Sequence, residues 1–176
     1  MNVVKPFQIV VIACLLAGCS AVYSTQPVGV APASIKPQEW DGTWIHKDGS
    51  LTLKVLDSEE GVVQVAWIEN MKLASHKAYL LESGEWMFGN VKEDENQSQF
   101  LWGRIKKRNN QIIIWTPSVS KIAALVKDGS LPGTVDDGGD VMLGNLTANH
   151  LTLITSEDKD VLFEWEDPLV VIRIAK

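Results

Sequence analysis

The sequence predicts an all-β chain, a closed antiparallel β-barrel of about ten strands with one short helix. Three observations lead there. From residue 39 onward, short runs rich in Val, Ile, Leu, Trp and Thr are separated by turn residues at close spacing. Several runs alternate apolar and polar residues, the period of a strand with one face buried. One stretch replaces that period by spacings of three and four, as a helix requires. Consecutive antiparallel strands with so little helix favour closure, because a closed sheet has no free edge.

The first run, 44–47, is closed by Asp48-Gly49, a dipeptide suited to a tight hairpin. The next, 51–55, reads Leu-Thr-Leu-Lys-Val, and 63–67 reads Val-Gln-Val-Ala-Trp after Gly61. Both alternate cleanly. Runs 77–81, 85–91, 99–106 and 111–115 follow, with Ser83-Gly84 and Asn109-Asn110 as turns. In 118–128 the period changes: Val119, Ile122, Leu125 and Val126 share one helical face. Ser118 can cap its first turn, Gly129 sits just past its end and Pro132 prevents its continuation. Runs 141–146, 150–155, 161–165 and 169–174 are read as four further strands.

Residues 1–18 hold one cation, Lys5, then an apolar run from Phe7 to Leu16 and small residues at the exit. That is the pattern of a secretory signal peptide. The run is too short to span a bilayer, which takes about 20 apolar residues. Leu16-Ala17-Gly18-Cys19 resembles the lipobox of bacterial lipoproteins at every position. The resemblance implies acylation of the Cys19 thiol, cleavage before Cys19 and acylation of the new amino terminus. Residues 19–38, with Pro27, Gly29, Pro32 and Pro37 and no apolar period, read as a lipidated flexible tether. Ser20 stands where Asp, in such lipoproteins, often retains the protein in the inner membrane. The implied location is the outer membrane, lipid-anchored and periplasm-facing, with the membrane itself as a partner.

Composition narrows the function. The chain carries a formal charge of −6, and nucleic acid demands clustered Lys and Arg, so no nucleic-acid partner is expected. The one basic run, Arg104-Ile105-Lys106-Lys107-Arg108, is short and reads as the solvated end of a strand. Of the two cysteines, Cys14 lies in the signal and Cys19 takes the lipid. The remaining 39–176 domain therefore has neither a thiol nor a disulfide, which excludes cysteine catalysis and cysteine-based metal sites.

Trp40-Asp41-Gly42-Thr43-Trp44 places Gly-x-Trp at the head of the first barrel strand. This resembles the opening motif of lipocalins and the wider calycin group. In those barrels a basic residue on the last strand covers that Trp at the closed end. Arg173, a lone cation in Val-Val-Ile-Arg-Ile, occupies the corresponding place. The resemblance implies a structural pair, Trp44 with Arg173, and an aromatic face is a sensible neighbour for such a cation. Two features depart from the family: the middle motif Thr-Asp-Tyr has no counterpart, and the helix precedes the last four strands. As a whole the chain resembles proteobacterial lipoproteins with lipocalin-like domains, a likeness that carries no activity.

Seven Trp against two Tyr and four Phe make Trp the main aromatic bulk. Each can simply fill core, since each buries a large area and needs one hydrogen-bond partner. Small barrels are either filled or hold one small ligand. Trp67, Trp102 and Trp115 lie mid-strand and are the candidate ligand-binding residues. Asp136-Asp137-Gly138-Gly139-Asp140 has carboxylates for Ca²⁺ but lacks EF-hand spacing, so it reads as a solvated turn. His46, His76 and His150 are scattered and show no zinc spacing. Ser118 and Ser120 lack the Gly-x-Ser-x-Gly context of a hydrolase nucleophile. No catalytic residue, metal site or cofactor is expected. The expected function is binding of an apolar or amphipathic ligand or envelope component. The alternative is a structural or inhibitory protein–protein module using 129–133 and the acidic loop as a protruding segment.

Overall fold

The computed structural model describes residues 20–69, 72–92, 98–155 and 162–174. The signal-like segment, Cys19 and Val161 lie outside the described residues. The chain opens with β1 (Val22–Ser24), β2 (Ala31–Pro32) and the short helix α1 (Pro37–Trp40). Seven strands follow in succession: β3 (Gly42–His46), β4 (Gly49–Asp57), β5 (Val62–Glu69), β6 (Lys72–Ser83), β7 (Trp86–Lys92), β8 (Phe100–Arg108) and β9 (Gln111–Trp115). Then come α2 (Val119–Lys127), β10 (Gly133–Val135), β11 (Val141–Leu143), α3 (Ala148–Ile154) and β12 (Leu169–Arg173).

Each strand from β3 to β9 pairs antiparallel with the next. β12 then lies between β9 and β3 and closes the ring. The result is the expected closed antiparallel barrel, eight strands around, with β1, β2, β10 and β11 outside it. β4 shows why the strands form: Leu51, Leu53 and Val55 face inward and are buried, while Thr52, Lys54 and Leu56 are exposed. The same alternation buries Val63, Val65 and Trp67 in β5.

The described residues form two cores. One lies inside the barrel and includes Trp40, Trp44, Leu51, Val65, Leu80 and Val171. The other lies on the outer face of β7 and β8, where Trp86, Phe88 and Trp102 meet Ile122 of α2, Val141 of β11 and Ile154 of α3. The excursion between β9 and β12 is therefore a cover that buries one outer side of the barrel.

Several sequence expectations are corrected. Segment 150–155 is helical: α3 begins at Thr147, whose Oγ1 accepts from His150 N at 3.4 Å while His150 Nδ1 accepts from Thr147 N at 3.0 Å. This reciprocal cap takes His where Glu or Gln is usual. Leu151 and Leu153 mimic strand alternation, but Leu151 and Ile154 are the buried pair, three residues apart. In 162–165 only Phe163 makes a strand-type bridge, to Pro117. The helix expected over 118–128 forms as α2 and Gly129 ends it with φ +80°. Ser118 stands at its N-cap without a side-chain capping bond.

The largest correction concerns residues 20–38. They do not form a free tether. Val22, Val28, Ala33 and Ile35 are buried, β1 pairs with β8 and β11, and β2 pairs with β6. Asn90, fully buried on β7, accepts from Val28 N at 2.6 Å and donates to Val28 O at 3.0 Å. The segment lacks a sequence period because its partners lie about the barrel rather than along its own chain.

Candidate functional site: an apolar cavity in the barrel

The inner faces of the strands do not meet across the barrel. A cavity of about 440 Å³ remains, lined mainly by aliphatic side chains such as Leu53, Val65, Leu80, Ile105 and Ile112. Two strand glycines let neighbours pack closely at the wall: a Cβ at Gly89 would overlap the Ile105 side chain, and one at Gly103 would lie 2.8 Å from Trp115 O. Gly89 of β7 and Gly103 of β8 are register partners, and both line the cavity. Glycine inside a strand often marks a site where another group approaches closely.

One end is shut. α1 brings Trp40 to the cavity, and Trp40 O accepts from Trp44 Nε1 at 3.1 Å. Trp44 is fully buried. Arg173 lies opposite it in register, with its guanidinium carbon 5.6 Å from the ring centre. The guanidinium donates to Gln38 O at 2.9 Å and also to Asp41 O. Asp41 Oδ1 in turn accepts from Val55 N at 2.6 Å, and Oδ2 pairs with Lys54 at 2.5 Å. One cation thus ties the last described strand to the helix that plugs the barrel. Gly42 makes room for it: a Cβ there would sit 3.1 Å from Arg173 Nε, on a backbone with φ +140°.

The cavity reaches the surface along β6, where Leu73 and Ser75 are exposed and still line it. Its polar groups are few. Ser75, His76 and Thr116 line it. Trp102 lines it too, and its Nε1–H is buried without a hydrogen-bond partner among the described residues. A buried donor left unpaired is unfavourable by about 1–3 kcal/mol. The Trp102 ring packs against Phe88 and Phe163 and this nitrogen is sealed from solvent, so the unpaired donor belongs to the outer core and not to the cavity space.

The three candidate Trp residues fall in three different places. Trp102 borders the cavity. Trp67 is buried in the barrel core, 6.2 Å from the His46 ring, and is not part of the cavity lining. Trp115 points away from the cavity into the outer core, 5.4 Å from Trp165. Beside it Arg104 lies over Trp86 at 3.4 Å and 5.0 Å from Trp165, so this aromatic group already surrounds a cation of the protein's own. Sequence reasoning missed Trp40 as a lining residue because it read it only as the lead-in to Gly-x-Trp.

The remaining candidates have structural occupations. Asp136 Oδ1 accepts from Asp140 N at 2.8 Å, and Asp140 Oδ1 accepts from Ala21 N at 2.7 Å. The acidic loop is thus a turn that also grips the start of β1. Segment 129–133 is not a protrusion, since Leu131 is buried and β10 begins at Gly133. His46, His76 and His150 occupy an edge beside Asp48, the cavity wall and a helix cap. Among the described residues no three His, Cys, Asp or Glu side chains gather as a metal site.

Compared with protein-family models, with curated proteins and with solved structures, the chain matches none.

Proposed function

We propose that the chain is a lipid-anchored envelope protein whose barrel binds one apolar or amphipathic molecule, without catalysis. The observation that carries the reading is the cavity of about 440 Å³, within the roughly 300–1,000 Å³ usual for small-ligand sites. Its walls are mainly aliphatic, and a few polar residues, Ser75, His76 and Thr116, border them. Acylation at Cys19 supplies the anchor, and Ser20 favours the outer membrane with the domain facing the periplasm.

The test is titration of the soluble Cys19→Ser protein with a fluorescent fatty acid. Saturable one-to-one binding that perturbs Trp emission is expected, because Trp40 and Trp102 border the cavity. Ala74→Phe and Ile114→Phe, which fill the cavity from two walls, should each weaken it at least about tenfold, the factor worth 1.4 kcal/mol. A protein that folds but shows no saturable binding would remove the reading.

A further inference from the structure

The chain enters β1, which is attached to the outside of the barrel, with no slack. Ser20 Oγ donates to Gly138 O at 2.9 Å. Ala21 N donates to Asp140 at 2.7 Å, and Ala21 O accepts from Val141 N at 2.8 Å. Val22 then opens β1 between β8 and β11. Ala21 and Val22 themselves line the cavity. Cys19 directly precedes Ser20 in the sequence. The acyl chains therefore start two residues from the cavity wall.

The same cavity is bordered by an exposed apolar rim. Leu73 is 67% exposed and lines the cavity; its cross-strand partner Ile68 is 47% exposed. Bulky apolar residues at the mouth of an apolar cavity suit a lipid surface better than water.

We infer that residues 20–22 are a rigid mount that holds the cavity against the bilayer, so that the cavity takes the acyl chain of a lipid from the membrane carrying the anchor. The inference rests on the lipid anchor and the binding cavity proposed above, and adds the source of the ligand and the device that delivers it. A flexible tether would let the domain roam and meet ligands in solution. A fixed one keeps the mouth at a constant small distance from the acyl chains, which raises their effective concentration.

The experiment uses the full lipidated chain in vesicles of phosphatidylethanolamine and phosphatidylglycerol, with bromine on the phosphatidylglycerol acyl chains. An acyl chain in the cavity quenches Trp40 and Trp102. The comparison is a chain with sixteen Gly and Ser residues inserted between Ser20 and Ala21, which span roughly 22 Å as a random coil. Ala74→Phe gives the quenching that does not come from the cavity, and Ile114→Phe replaces it if it fails to fold. The expected result is cavity-dependent quenching in the native chain, and loading about tenfold slower with the insertion. Both should bind the free fluorescent fatty acid alike in detergent-free solution as Cys19→Ser proteins. Equal loading with and without the insertion overturns the mount and leaves the binding cavity standing. The same holds for absent quenching in a chain whose Cys19→Ser form binds the free acid. A Cys19→Ser protein that binds no free acid removes the cavity reading and this inference with it.

Discussion

Asn90 holds both backbone polar groups of Val28: its Oδ1 accepts from Val28 N at 2.6 Å and its Nδ2 donates to Val28 O at 3.0 Å. The same Nδ2 reaches Tyr79 O at 3.2 Å. One buried amide therefore joins the first segment of the chain to two barrel strands. Asn90→Leu keeps the volume and strands Val28 N–H in the interior. A loss of about 3 kcal/mol is expected, since each buried group left unpaired is unfavourable by ~1–3 kcal/mol. Urea unfolding would register it as a lower midpoint. Limited proteolysis should then cut within 20–36 before the barrel is touched.

Arg173→Met removes the cation from the Trp44 face and leaves the carbonyls of Gln38 and Asp41 without their donor. About 2 kcal/mol of stability should be lost, from the cation–π contact and the charged hydrogen bonds together. Arg173→Lys should recover less than half of it, because an ammonium cannot reproduce the planar fork. Equal stability of the native and Met proteins in denaturant would contradict the plug described at the closed end.

Arg104 is expected to organise the outer aromatic group. Arg104→Leu should lower stability by about 1–2 kcal/mol, in the range of a partly desolvated cation–π site. Near-ultraviolet circular dichroism should change as well, because Trp86 and Trp165 lose the cation that lies over them. Fatty-acid binding should be unaffected, since Arg104 is not part of the cavity lining.

Thr147→Ala deletes half of the reciprocal cap on α3. A loss of about 1 kcal/mol is expected. Hydrogen exchange should speed up over 148–154 and stay unchanged in β4 and β5. A uniform change across the molecule would mean that α3 is not capped in this way.

Much of the barrel is legible in the sequence because each strand carries its own alternation. Leu51, Leu53 and Val55 are buried by a pattern visible in five residues. α2 is equally legible, from Ile122 and its neighbours on one face. What could not be read depends on distant partners. Val28 is buried because Asn90, 62 positions away, satisfies its peptide. Ala21 is buried because Asp140, 119 positions away, caps it. Short Pro-containing sequence without a period looks like a linker unless those partners are known. The cavity was half legible: a barrel of this size invites a ligand, yet which Trp borders it depended on strand facing. Trp102 and Trp115 sit on neighbouring strands and both contribute to the outer core, while only Trp102 also reaches the cavity.

β12 gives the barrel a seam with a timetable. Leu169 meets Ile114 on one side and Ile172 meets Ile45 on the other, so neither β3 nor β9 has its second neighbour until 169–173 is in place. Contacts so far apart in sequence form slowly. A chain that emerges amino terminus first must wait with both flanks bare, open to pairing with another copy. Arg173 belongs to that same strand, so the step that seals the wall also locks the plug. Cutting the chain just before Leu169 should therefore yield aggregates rather than a looser, still useful barrel.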